Sequence, residues 1–120
     1  MMIVKKGSVG VIDFDGLQIL DYTSNLESRS SFAVITVPPG TAHAESWSKR
    51  SDKYYYVVIG RVEFTLDGQL QVLSAGDFCV VPQGHHFSYL NRESKEAQIC
   101  LVHTPCFDIN SEVFIEKSDG

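Results

Sequence analysis

The sequence predicts an all-β fold, a sandwich or barrel of short strands. Two observations carry this. Short runs rich in Val, Ile, Phe and Tyr recur along the 120 residues and are bounded by Gly, Pro, Asp and Ser turns. No segment sustains the 3.6-residue apolar period of an amphipathic helix.

Strands are expected at 9–14, 17–22, 32–37, 54–59, 61–66, 69–73, 78–81, 86–91, 97–103 and 112–115. Asp15-Gly16 and Asp67-Gly68 mark hairpin turns, because an Asp-Gly pair tolerates the positive φ of a tight reversal. "SAGD" at 74–77 and "PQG" at 82–84 mark further reversals. No strand is expected over 38–53, and His43 reads as a residue of the loop entering the first motif. The one helix-like stretch, "NSEVFIEK" at 110–117, is a terminal helix or an extended arm, and 116–120 is expected to fray. The whole chain, 1–120, reads as a single domain.

Composition narrows the function. A net charge of −5 argues against a nucleic-acid groove, which needs a basic face. No apolar run reaches the roughly 20 residues needed to cross a bilayer as a helix. Residues 1–10 have no apolar signal-peptide core, and three cysteines form no metal-like spacing. A reduced, cytoplasmic setting is therefore expected. Cys79 and Cys100 lie in apolar strands and are expected to be buried, whereas Cys106, after Pro105, sits in a loop.

Strand alternation nominates sets of residues on shared faces. Ser46 and Ser48 share one parity, Lys53, Tyr55 and Val57 another, and Phe87, Tyr89 and Asn91 a third. Trp47 should point away from its two serine neighbours.

The spacing of the turn residues is similar to that of the cupin superfamily. Gly40 is followed by Ser46, Ser48, Lys53 and Gly60, and Gly76 by Pro82, Gly84, Phe87 and Asn91, in the frame of the two cupin motifs. The motifs lie within 40–91 and the resemblance extends over roughly 32–108. It implies a double-stranded β-helix, or jelly-roll barrel, and a homodimer formed by outer-strand pairing. The ending "LVHTPCFDINSEVFIE" resembles that of free-standing bacterial cupins, with Cys106 in place of a second proline.

The ligand positions depart from the family. Three histidines and a carboxylate would hold a transition metal there, whereas this chain has Ser46, Ser48, Lys53 and Phe87. A hydroxyl pair, an ammonium and a phenyl ring are a poor donor set. No metal and no cofactor are expected. A relocated site built from His43, Glu45, His86 and His103 is the metal-dependent alternative, with His85 and His86 otherwise exposed at a turn.

The same positions suggest an amphipathic pocket for a small organic molecule, an anion or a carbonyl compound. Ser46, Ser48, Phe87 and Tyr89 would bind it. Lys53 and Tyr55 would act on it, with His43 or His103 as the group titrating near neutral pH. The chemistry that suits this set is isomerisation, cyclisation, dehydration or elimination. The competing class is a non-catalytic dimeric scaffold, since the frame is also similar to the dimerisation cupin of centromere protein C. Trp47 would then pack between subunits.

Overall fold

A computed structural model describes residues 2–26 and 28–115. The tail expected to fray, 116–120, lies outside them. The described residues form eleven strands: β1 (Val11–Phe14), β2 (Leu17–Asp21), β3 (Ser31–Val37), β4 (Ala42–Ser48), β5 (Asp52–Ile59), β6 (Arg61–Leu66), β7 (Gln69–Ser74), β8 (Phe78–Val81), β9 (Phe87–Leu90), β10 (Ala97–Thr104) and β11 (Glu112–Phe114). They make two antiparallel sheets, in the orders β1-β2-β3-β10-β5-β8 and β11-β4-β9-β6-β7.

Alternation decides which side chains meet between the sheets. Along β10, Ala97, Ile99, Leu101 and His103 are buried, while Gln98, Cys100, Val102 and Thr104 face outward. The inward sets of β3 and β5 follow the same rule, and Val62, Phe64, Phe87 and Tyr89 answer from the other sheet. Each fully buried large apolar side chain contributes about 1.5–3 kcal/mol by leaving water. At the centre, Tyr55, Phe64, Phe87 and Tyr89 pack with ring centroids 5.2–6.4 Å apart.

The motif residues turn out to hold the frame. Gly60 has φ +80, and a Cβ there would lie 2.8 Å from the Ala97 backbone, so β5 can pass into β6 beside β10 only with glycine. Asn91 is fully buried. Its amide donates to the Val37 and Lys95 carbonyls, and its Oδ1 accepts from the Glu93 N–H. Both Asp-Gly turns have positive φ at both residues, as a tight hairpin requires.

Several expectations need correction. The stretch expected as a loop contains β4, so His43 is a strand residue. Its apolar alternation is interrupted because the β4–β9 register slips between His43 and Ser46. That bulge turns His43 to the same inner side as Ser46 and Ser48, although its parity differs. Up to Ile115 the stretch expected at 110–117 is an arm: a 3-10 turn at Ile109–Ser111 leads into β11, which pairs with β4. Lys117 and Glu116 lie outside the described residues. Cys79 and Cys100 are half-buried because β8 is an edge strand and Cys100 faces outward from β10.

The outer face of the six-stranded sheet is unusually apolar. Phe32, Tyr56, Val58 and Phe78 are exposed there, with Val34, Cys100 and Val102 between them. Trp47 lies on the other sheet, stacked on His86 with ring centroids 5.9 Å apart.

Candidate functional site

A cavity of about 250 Å³ opens between the two sheets. β1 and β2 supply Phe14, Ile19 and Asp21, and β3 supplies Ser31, Ala33 and Ile35. The polar floor comes from Lys53 and Tyr55 on β5, His103 on β10 and Tyr89 on β9. His43 on β4 and Glu112 and Phe114 on β11 close the remaining side.

An ion pair sits at the centre of the floor. Lys53 Nζ donates to Glu112 Oε1, and both side chains are almost wholly buried. The ammonium also lies 4.6 Å from the centre of the Phe87 ring. Burial pulls the Lys53 amine below its ordinary value, with Glu112 pulling the other way. Burial alone would raise the Glu112 carboxyl, but His103, Lys53 and Ser48 around it outweigh burial and hold it at about 2. His103 Nε2 stands 3.8 Å from Oε1, at ion-pair rather than hydrogen-bond distance, and has no hydrogen-bond partner among the described residues.

His43 occupies an aromatic corner. Its ring centroid is 4.9 Å from Phe87, 5.2 Å from Tyr89, 5.7 Å from Phe14 and 6.1 Å from Phe114. Nδ1 lies 2.7 Å from the Ala44 carbonyl oxygen. A carbonyl only accepts, so this bond places the proton on Nδ1 and leaves the lone pair on Nε2. Burial, with some help from the Lys53 charge and against the Ala44 bond, lowers the His43 pKa to about 4. The imidazole is therefore a neutral base at neutral pH. Burial raises both Tyr55 and Tyr89, which stay protonated as donors. The Tyr89 hydroxyl is buried without a partner among the described residues.

Known proteins fix the family. A family model described as "Cupin domain" matches residues 33–103, more than half of the chain. The chain belongs to the cupin family. Among solved structures, a histidine-to-glutamine variant of Streptomyces PAC13 with uridine superposes with a TM-score of 0.84 at 20% identity, covering 97% of this chain and 92% of that one. Another Pac13 structure, described as that of a unique nucleoside dehydratase, gives 0.82 at 21% identity over 99% of this chain and 97% of that one. KdgF from Halomonas sp. gives 0.80 at 20% identity, covering 90% and 96%. The Cnp3 cupin domain of Schizosaccharomyces pombe gives 0.73 at 18% identity, covering 82% and 70%. No curated protein matches the sequence.

The cupin metal positions do not fit a cation in this chain. Ser46 is buried with a hydroxyl that has no partner among the described residues, and Ser48 accepts from the Arg50 and Ser51 N–H groups. Lys53 brings a positive charge, and Phe87 brings only a ring. The relocated set is divided: Glu45 pairs with His86 at 3.2 Å on the exposed outer side, while His43 and His103 line the cavity. His85 is likewise exposed, paired with Asp67.

Of the residues nominated from sequence, Lys53, Tyr55, His43, His103 and Tyr89 meet at the cavity. Ser46, Ser48 and Phe87 are buried behind its wall rather than lining it. The reading missed Glu112, Phe14 and Phe114. The alternation in "SEVFIE" does put Glu112 and Phe114 on one side of a strand. Nothing local shows that this strand pairs with β4 so that Glu112 reaches Lys53.

Replacing Glu112 with Gln should cost about 3–5 kcal/mol at pH 6, since it strands a buried cation. The Glu112 carboxyl lies near 2 when folded against an ordinary 4.5, so its contribution is complete above about pH 4.5 and is lost as pH falls toward 2. Urea midpoints at pH 6 and pH 3 should show the gap between wild type and Glu112→Gln shrinking by about half or more. An equal gap at both pH values would contradict the ion pair.

Proposed function

We propose that this cupin binds a small organic molecule in the cavity and moves protons on it without a metal, the best-supported reaction being elimination of water next to a carbonyl group. The observation that carries the reading is His43: a neutral imidazole with its proton held on Nδ1 by Ala44, beside two protonated phenols. Nε2 takes a proton from the carbon adjacent to the carbonyl, and the C–H electron pair passes into an enolate. Tyr89, whose hydroxyl has no other partner among the described residues, donates to the carbonyl oxygen as charge develops there. The enolate re-forms the carbonyl as a C=C bond forms and the β-oxygen leaves. The His43 imidazolium returns its proton to that oxygen, and water departs. Lys53, Glu112 and His103 position the floor of the site.

The likeness to Pac13 supports this reading. That protein is described as a nucleoside dehydratase, and its histidine-to-glutamine and tyrosine-to-phenylalanine variants are described with uridine. In this cavity His43 stands with two tyrosines, Tyr55 and Tyr89.

The test is water loss and deuterium uptake from D2O, followed by NMR across a panel of β-hydroxy aldehydes and ketones that includes nucleoside-derived ones. Turnover should fall about 10²–10⁴-fold in His43→Gln with binding retained. kcat/KM should be flat through neutral pH and decline only as pH drops through about 4, where His43 protonates. Undiminished turnover in His43→Gln would refute the role given to it.

A homodimer through the outer face of the six-stranded sheet is the assembly that the exposed Phe32, Tyr56, Val58 and Phe78 support. Light scattering after gel filtration should give a dimer for wild type and a monomer for Tyr56→Glu/Phe78→Glu. A monomeric wild type would rule this assembly out, and with it the scaffold role it would serve.

A further inference from the structure

We infer that the cavity selects uncharged, hydroxyl- or carbonyl-bearing ring compounds and rejects their phosphorylated or carboxylated counterparts. The inference rests on the cavity being the ligand site proposed above and specifies what it accepts.

Among the described residues lining the cavity, Lys53 is the only Lys or Arg, and its ammonium is already bonded to Glu112. Asp21 adds a second carboxylate to the lining. Its Oδ1 accepts from the Thr23 N–H and hydroxyl, neutral donors that leave its charge in place. One cation thus faces two anions, and a protonated His103 would only bring the balance to zero. Asp15 lies close enough to act on His43 and adds to the negative field. The chain as a whole carries −5, which repels anions as they approach.

Anion sites are built differently. Phosphate and carboxylate are held by unpaired Arg or Lys forks or by backbone N–H groups at a helix end. The described lining has no unpaired Arg or Lys, since its one ammonium is engaged, and it is made of strand residues apart from Phe107 and from Ile109, which belongs to a three-residue 3-10 turn. Lys53, expected from the sequence to act on an anion or a carbonyl compound, is engaged by a partner that arrives from the distant end of the chain.

What remains on offer is neutral hydrogen bonding and flat apolar surface. The Tyr89 hydroxyl and His103 Nε2 are both buried and both lack partners among the described residues. Buried polar atoms are normally paired, so these two mark where ligand oxygens would sit. Above them, Phe14, Phe114 and His43 form an aromatic corner suited to a planar ring. If the ligand derives from a phosphorylated compound, a phosphate-removing step must come before this protein acts.

The test compares two pairs of probes by calorimetry: uridine against uridine 5′-monophosphate, and benzyl alcohol against benzyl phosphate. Wild type should bind the neutral member of a pair about tenfold tighter or more, since an anion buried without a partner is strongly disfavoured. Glu112→Gln should narrow or invert that ratio by freeing Lys53. The wild-type comparison stands alone if this variant fails to fold. Binding of benzyl alcohol over benzyl phosphate, with neither uridine compound bound, would refute a nucleoside ligand while supporting charge selection. A phosphorylated member binding as well as its neutral partner would overturn the inference, as would failure of all four to bind.

Discussion

The burial of one ammonium group constrains the rest of this site. Lys53 lies on the inward face of β5, where the cupin frame places a metal-binding carboxylate. An unpaired buried cation costs several kcal/mol, so the fold must bring an anion to it. The anion is Glu112, 59 residues further along the chain. Meeting Lys53 pins β11 against β4, and β11 in turn carries Phe114 over the cavity and completes its wall. One charge pair therefore joins the last strand to the core and closes the pocket.

The same pair sets the electrostatics. With Lys53 neutralised, the cavity offers no free cation among its described residues, and its polar capacity lies in tyrosine hydroxyls and imidazoles. Burial then acts on each group in the direction that suits proton transfer. It lowers His43, leaving a free base, and raises Tyr55 and Tyr89, leaving protonated donors. The bulge in β4 matters because, without its register shift, His43 would follow strict alternation and face away from Ser46 and Ser48. The backbone irregularity that hid β4 in the sequence thus aims the candidate base.

Much of the scaffold was legible because it depends on local signals. Gly60 had to be glycine beside Ala97, the Asp-Gly pairs had to turn, and β10 alternates cleanly over its whole length. Motif spacing located Lys53 and Phe87, and strand alternation extended those positions to Tyr55 and Tyr89. What stayed hidden depends on long-range pairing. Glu112 sits in a three-residue strand whose partner no local pattern names, so the sequence showed Lys53 without its counter-ion. Ser46 and Ser48 are buried as inward residues but do not line the cavity. Cys79 and Cys100 looked like core because their strands are apolar, yet that apolarity belongs partly to an exposed sheet face.

The account turns on His43 being a neutral base in a cavity whose charges are already closed on one another. NMR titration of the ¹⁵N-labelled imidazole in the intact protein tests this most directly. The account predicts a midpoint near 4, with the proton on Nδ1 and the lone pair on Nε2 throughout the neutral range. A midpoint near the ordinary 6.5, or a neutral form protonated on Nε2, would contradict it.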